Sequence, residues 1–183
     1  MFTISKKWGR REMKNNRGLA FTELLVVIAV IGTLVAALGF SFRGWMASYD
    51  AESQTKEMYA DLMNARIRAM HQNRLHFIIV DSHHYQLFED TDESGGNAPS
   101  DGDAALWSNP KPFKYPSLWR GTVVMHTNGM VSNTISYLGA TVRFDLDDDG
   151  DGIPDISPDY DCVILYFSRI NIGMWQGSKC VAT

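Results

Sequence analysis

The chain has 183 residues, 45% of them hydrophobic, and a formal net charge of −4, a size that predicts one compact domain with appendages. The charge is unevenly divided. Residues 1–18 carry Lys6, Lys7, Arg10, Arg11, Lys14 and Arg17 against Glu12, a net +5, while 19–183 carry 11 basic and 20 acidic residues, a net −9. A body that acidic argues against broad binding to phosphate backbones.

Behind the basic head, Leu24 to Phe42 form a run of 19 residues without a charge, opened by Glu23. As a helix the run would reach roughly 28 Å, close to a bilayer core of about 30 Å. A basic head before such a run predicts a head kept on the cytoplasmic side and an exported body. Three readings fit the segment. A plain membrane anchor explains its length but leaves Glu23 without a purpose. An ordinary secretory signal explains the head, and Val35-Ala36-Ala37 offers small residues for cleavage. The third reading comes from a longer pattern.

The stretch Gly18-Leu19-Ala20-Phe21-Thr22-Glu23-Leu24-Leu25-Val26-Val27-Ile28-Ala29-Val30-Ile31-Gly32 resembles the N-terminal motif of type IV prepilins and type II secretion pseudopilins. The resemblance implies cleavage after Gly18 by a prepilin peptidase and N-methylation of the new terminus, Leu19. It also places the family's assembly glutamate on Glu23. The family usually begins its mature chain with Phe, so Leu19 is a departure. A carboxylate at the edge of the bilayer core costs about 2–3 kcal/mol unless paired, which gives Glu23 a reason to seek a cation. In a filament of parallel helices, Glu23 would meet the terminal amine of a neighbour and set the axial register; the bland alternative places it at the headgroup level.

From Arg43 to Asn73 the chain has no proline, and Met58, Leu62, Ala65 and Ala69 recur at helical spacing, widened by Tyr59, Met63 and Met70. Glu52, Lys56, Arg66, Arg68 and Arg74 lie largely off that stripe. The spacing predicts an amphipathic extension of the membrane helix, packed on a sheet, with Gly39 and Gly44 as points where the helix can bend. Leu62 to Arg74 resembles the helix end of minor subunits of the general secretion protein H and FimT type.

Further on, Leu75–Val80, Tyr85–Glu89, Thr122–His126, Thr134–Leu138, Thr141–Asp145 and Cys162–Ser168 read as strands, with tight turns at Asp81-Ser82-His83-His84 and Asn128-Gly129. Asp90 to Asp103, with Gly95-Gly96, Pro99 and Gly102, reads as a mobile polar loop, and its Asp90-Thr91-Asp92-Glu93 segment as solvated. Between Trp107 and Trp119, Pro110, Pro112 and Pro116 oppose regular structure. Phe113 and Tyr115 there are read as stapling the loop to the sheet, with an exposed aromatic partner site as the alternative. The predicted fold is α+β: a long N-terminal helix, half transmembrane and half amphipathic, on an antiparallel β-sheet, as in pilins. The expected divisions are a leader at 1–18, a membrane or filament-core helix at 19–42, an amphipathic helix at 43–74 and a β-sheet body at 75–183.

The sharpest chemical signal of the body is Asp145-Leu146-Asp147-Asp148-Asp149-Gly150-Asp151-Gly152-Ile153-Pro154-Asp155. Alternating aspartates separated by glycines bring hard oxygen donors around one centre, the chemistry of Ca²⁺. The stretch resembles the aspartate-rich loops of thrombospondin type 3 repeats, which implies Asp147, Asp149, Asp151 and Asp155 as ligands. It departs from an EF-hand, because the twelfth position counted from Asp145 is Ile156. The bland alternative is a solvated acidic loop.

Only two cysteines occur, Cys162 and Cys180. In an exported chain these predict a disulfide rather than a catalytic thiol, and the chain-entropy gain for such a loop is about 3 kcal/mol. His71, His76, His83, His84 and His126 lack metal-motif spacing, and His83-His84 falls in a predicted turn. No nucleophile elbow, phosphate loop or zinc-protease motif is present, so no enzyme activity is predicted. The reading that joins these features is a minor pilin or pseudopilin, held in the bacterial inner membrane with its body in the periplasm. Its expected partners are other pilins or pseudopilins, the prepilin peptidase and the membrane, without nucleic acid. Two rivals stay open. Some FimT-type pilins capture DNA through a glycine-arginine-x-arginine motif, of which Ser168-Arg169-Ile170-Asn171 keeps one arginine. A secreted calcium-binding protein, released by cleavage after Ala37, is the other.

Overall fold

The computed structural model describes residues 21–134, 139–147, 149, 150 and 152–182, and at 37–43 it describes the backbone alone. The expected leader at 1–18, with Gly18 and Leu19, lies outside the described residues, as does most of the strand expected at Thr134–Leu138. The architecture is α+β, and the chain divides into two units, 1–42 and 43–183.

The helix α1 covers Phe21–Gln72, 52 residues. In the first unit every described side chain from 21 to 36 is exposed, among them Leu24, Leu25, Val27, Ile28 and Ile31. Among the described residues no helix is long and apolar enough to cross a membrane; the span expected at Leu24–Phe42 includes 37–42, whose side chains lie outside the description.

In the second unit the helix has a buried seam. Ala51, Thr55, Met58, Leu62, Ala65 and Ala69 are each at most 1% exposed, at spacings of three and four that keep them on one side of a 3.6-residue helix. The seam starts two positions earlier than its large residues reveal, because Ala51 and Thr55 carry little apolar signal. Thr55 Oγ1 donates to the Ala51 carbonyl at 2.8 Å, which satisfies the buried hydroxyl. The helix stops at a Schellman-type cap. Asn73 takes the left-handed conformation at φ 53°, which a short polar side chain tolerates, and Arg74 N–H donates back to the Ala69 carbonyl at 3.3 Å.

Among the described residues ten strands follow, split between two antiparallel sheets where the sequence suggests one. The first sheet contains β1 (His76–Val80), β2 (His84–Glu89), β3 (Ala104–Ala105), β4 (Lys111–Pro112), β5 (Gly121–Met125) and β6 (Val131–Asn133) in the order β3-β2-β1-β5-β6, with β4 also on β2. The second runs β10-β9-β8-β7, from β7 (Ala140–Arg143), β8 (Cys162–Leu165), β9 (Ile170–Gln176) and β10 (Lys179–Ala182). Pro112 sits in a two-residue strand at a sheet margin, where a missing N–H costs no ladder bond. The Asn128-Gly129 turn joins β5 to β6, with Gly129 N–H donating to His126 O at 2.8 Å.

One apolar core serves the helix and both sheets. Met58, Leu62 and Ala65 share a cluster with Ile78, Val80, Leu87, Val123 and Met125 of the first sheet and with Val142, Val163 and Leu165 of the second. Backbone bonds tie segments that flank one sheet to those of the other, among them Leu118 N–H to Arg143 O at 2.9 Å, Asp145 N–H to Pro116 O at 2.7 Å and Val131 N–H to Phe167 O at 2.8 Å. The Cys162–Cys180 disulfide closes the second sheet, joining β8 to β10 across β9 with Cα atoms 6.2 Å apart. Gly173, the β9 partner of Cys162, is crowded by the Val181 carbonyl, and a Cβ there would collide with it.

The proline-rich segment clips α1 to this body. Lys111 Nζ lies 2.6 Å from Asp61 and 3.0 Å from Glu57, Lys114 pairs with Asp50, and Gln54 accepts from the Lys114 and Tyr115 N–H groups at 2.6 and 3.0 Å. The aromatic staple forms as expected: Phe113 stacks on Tyr85 at 5.0 Å and meets Phe144 edge-on at 5.2 Å. The Tyr85 hydroxyl donates to Asp61 at 2.6 Å, and burial together with that neighbouring carboxylate pushes its ionisation far up.

Leu62→Ala is expected to lower unfolding stability by about 2–5 kcal/mol, whereas Ile67→Ala, at a residue 55% exposed, changes it by at most about 0.5 kcal/mol. Urea unfolding followed by tryptophan fluorescence measures both. Equal losses in the two variants would contradict the assigned seam.

Candidate functional site

The acidic stretch forms the long connection between β7 and β8. Its entry is fixed by Asp145 N–H donating to Pro116 O at 2.7 Å and its middle by Asp155 N–H donating to Leu146 O at 3.0 Å. The second bond folds the loop back, so that residues eight or nine apart in sequence become neighbours. The Asp147 carboxylate draws the turn around itself, accepting Gly150 N–H on Oδ1 at 2.7 Å and Gly152 N–H on Oδ2 at 2.6 Å. Both glycines have positive φ, 78° and 85°, which a side chain would resist.

Three of the four ligands suggested by the sequence come together. Asp147, Asp149 and Asp155 each offer a carboxylate oxygen within 4.8 Å of the others. Asp151 lies outside the described residues. Opposed oxygens in a calcium shell of radius 2.3–2.6 Å stand about 4.6–5.2 Å apart, so the group has the right compass for that ion. The loop borders a recess of about 500 Å³ lined also by Ala47, Lys114, Tyr115 and Pro116. It is therefore anchored to the segment that clips α1.

The fold assembles a second acidic group. Asp90, Asp92 and Asp103 likewise bring oxygens within 4.8 Å of one another, although the sequence suggests that 90–93 are merely solvated. Asp90 is only 4% exposed. Its burial raises the carboxyl above the usual range, opposed by a hydrogen bond from Gly95 N–H and reinforced by the charges of Asp103 and Asp92. Asp92 is held well below that range by Ser94 and Ser100, which donate to it. The segment from Asp90 to Asp103 is thus a wrapped loop with internal bonds. The only hint in the sequence is a set of aspartates beside glycines and serines; what unites them is a return of the chain after eleven residues, which residues 90–93 do not foretell.

The histidines divide between solvent and core. His83 lies in the turn before β2 and His84 opens that strand, both exposed, and His83 Nδ1 is 2.7 Å from Ser82 Oγ. His76 is fully buried, its Nε2 has no hydrogen-bond partner among the described residues, and burial lowers its pKa. Glu23 lies in the first turn of α1, exposed to solvent, where a carboxylate also favours the helix N-terminus.

The chain matches no protein-family model, no curated protein and no solved structure. The functional reading therefore rests on its residues and geometry.

Two measurements test this geometry. A folded pKa below 6.5 at His76 means that the unfolded chain takes up a proton the folded ring resists. The associated stability is complete above 6.5 and declines as pH falls through that value. A urea midpoint that declines in the parent chain and declines less in His76→Phe is expected. Calcium at one hundred times its dissociation constant should add about 2.7 kcal/mol to unfolding stability, and Asp147→Asn with Asp155→Asn should abolish the part that arises from the β7–β8 loop. A calcium response that survives undiminished would retire that site.

Proposed function

We propose that the chain is a minor pilin or pseudopilin of the general secretion protein H and FimT type, a structural subunit of a type II secretion pseudopilus or type IV pilus. One observation carries the reading. The same helix has an apolar, fully exposed portion at 21–36, opened by Glu23, and a portion whose seam is buried in the body from Ala51 to Ala69. Such an apolar portion does not remain open to water. A membrane before assembly and neighbouring helices afterwards would cover it.

In this reading the leader is removed after Gly18, Leu19 becomes the methylated terminus, and the 19–42 segment enters the inner membrane with the body in the periplasm. The positive terminal amine of one subunit then meets Glu23 of its neighbour, relieving the cost of an unpaired carboxylate at the edge of hydrocarbon. The disulfide suits an oxidising compartment. Calcium on Asp147, Asp149, Asp151 and Asp155 would stiffen the β7–β8 connection under load. DNA capture is the rival reading, and the net −9 of residues 19–183 disfavours it.

Mass spectrometry of the mature protein from cells containing the prepilin peptidase is expected to find methyl-Leu19 at the terminus. A start near Leu38 would instead favour the secreted calcium-binding rival. Glu23→Ala is expected to leave cleavage after Gly18 intact while reducing incorporation into filaments. Normal incorporation would remove the role assigned to the glutamate.

A further inference from the structure

The Asp90–Asp103 loop has a feature that hydration of an acidic surface does not account for. One oxygen of Asp90, Oδ2, accepts Gly95 N–H at 3.2 Å. The other, Oδ1, is buried and accepts from no donor among the described residues, while the Asp90 carboxyl stands at hydrogen-bonding distance from the Asp92 carboxylate. A buried carboxylate oxygen without a donor costs free energy that a native fold does not normally leave uncompensated. Grouped with the Asp90 carboxylate are further acceptors, the carboxylates of Asp92 and Asp103.

We propose that Asp90, Asp92 and Asp103 bind Ca²⁺, at a site separate from the β7–β8 loop. The donors are all oxygens, with no histidine or cysteine in the group, which selects a hard cation. Oxygens within 4.8 Å of one another fit inside a calcium shell, whose opposed ligands stand about 4.6–5.2 Å apart. Three carboxylates supply three to six ligand atoms, and water completes the six to eight that the ion takes.

The loop holds these carboxylates from outside. Asp92 accepts Ser94 N–H at 2.9 Å and Ser100 Oγ–H at 2.7 Å. Asp103 accepts Thr91 N–H at 3.2 Å and Ser100 N–H at 2.8 Å. Asp90 N–H donates to Leu75 O at 3.0 Å, which ties the site to the residue just before β1. Gly102 presses against the group, and a Cβ there would stand 2.5 Å from Asp92 Oδ2. Any side chain at that position would displace Asp92. Bound Ca²⁺ would give Asp90 Oδ1 its missing partner and fasten the loop between β2 and β3 to the foot of α1.

The test uses the full chain in detergent micelles, with Asp147, Asp149 and Asp155 all changed to Asn so that the β7–β8 loop cannot contribute. Calorimetric titration with Ca²⁺ and native mass spectrometry are expected to find one bound ion. Asp92→Asn in that background should remove it. Gly102→Ala, which leaves every carboxylate in place, should weaken binding about tenfold or more, the loss usual when the support of a ligand is disturbed. Asp90→Asn should raise the melting temperature in chelator, by removing one of three crowded charges, and abolish its rise with Ca²⁺. Absence of Ca²⁺ uptake in the Asp147/Asp149/Asp155 variant would overturn the proposal, as would uptake that Asp92→Asn leaves unchanged. The second result would also separate this site from a carboxyl pair that merely shares a proton. None of these outcomes depends on cleavage after Gly18 or on filament assembly, so failure here leaves the proposed function to its own tests.

Discussion

The buried seam of α1 is the contact on which the body depends. Small residues at Ala51, Thr55, Ala65 and Ala69 let the helix approach closely, while Met58 and Leu62 fill the space between them and the sheets. Because residues of both sheets enter this one cluster, the seam is also what holds the sheets together; the strands of one are joined to the other by few backbone bonds. The polar flank of the helix then decides which loops lie against it. Asp50, Gln54, Glu57 and Asp61 recur at three- and four-residue intervals and gather Lys111, Lys114 and the backbone at Tyr115. The proline-rich segment is consequently ordered by hydrogen bonds that it could not make within itself.

The acidic loops follow from that arrangement. Asp145 N–H reaches Pro116, at the end of the clip, so the position of the β7–β8 loop is inherited from the seam through Lys114 and Tyr115. The Asp90 loop is placed by the other end of the helix, through the cap at Asn73 and the bond from Asp90 to Leu75. The β7–β8 loop thus lies against the segment that clips α1, and the Asp90 loop against the residue just before β1.

Part of this is legible from residues alone. The spacing of Met58, Leu62, Ala65 and Ala69 is a local property of a 3.6-residue repeat, and it identifies the buried face; it misses Ala51 and Thr55, whose small side chains carry little periodic signal, and it wrongly adds Met70, which is exposed near the end of the helix. The strands with strong β-branched and aromatic content, β1, β2, β5 and β8, are recognisable within a residue or two at their starts. β9 and β10 are not. Ile170, Ile172 and Met174 do alternate with Asn171 and Gly173, but Gly173 and the short run give little strand signal; β9 is completed by pairing with β8, and β10 by pairing with β9 and by the bridge at Cys180.

Residue order alone is enough to specify the long helix, its two different faces, the pairing of two cysteines and the aspartate-rich β7–β8 loop, because each depends on residues close together in the chain or on simple scarcity of partners. Packing in three dimensions settles what remains. It divides the strands into two sheets on one core, buries His76 without a partner for Nε2, and turns Asp90, Asp92 and Asp103 into one group. Those outcomes come from chain reversal and burial, which bring distant residues together and remove water from them. No local pattern encodes the loss of a donor from Asp90 Oδ1; only the packing around it does.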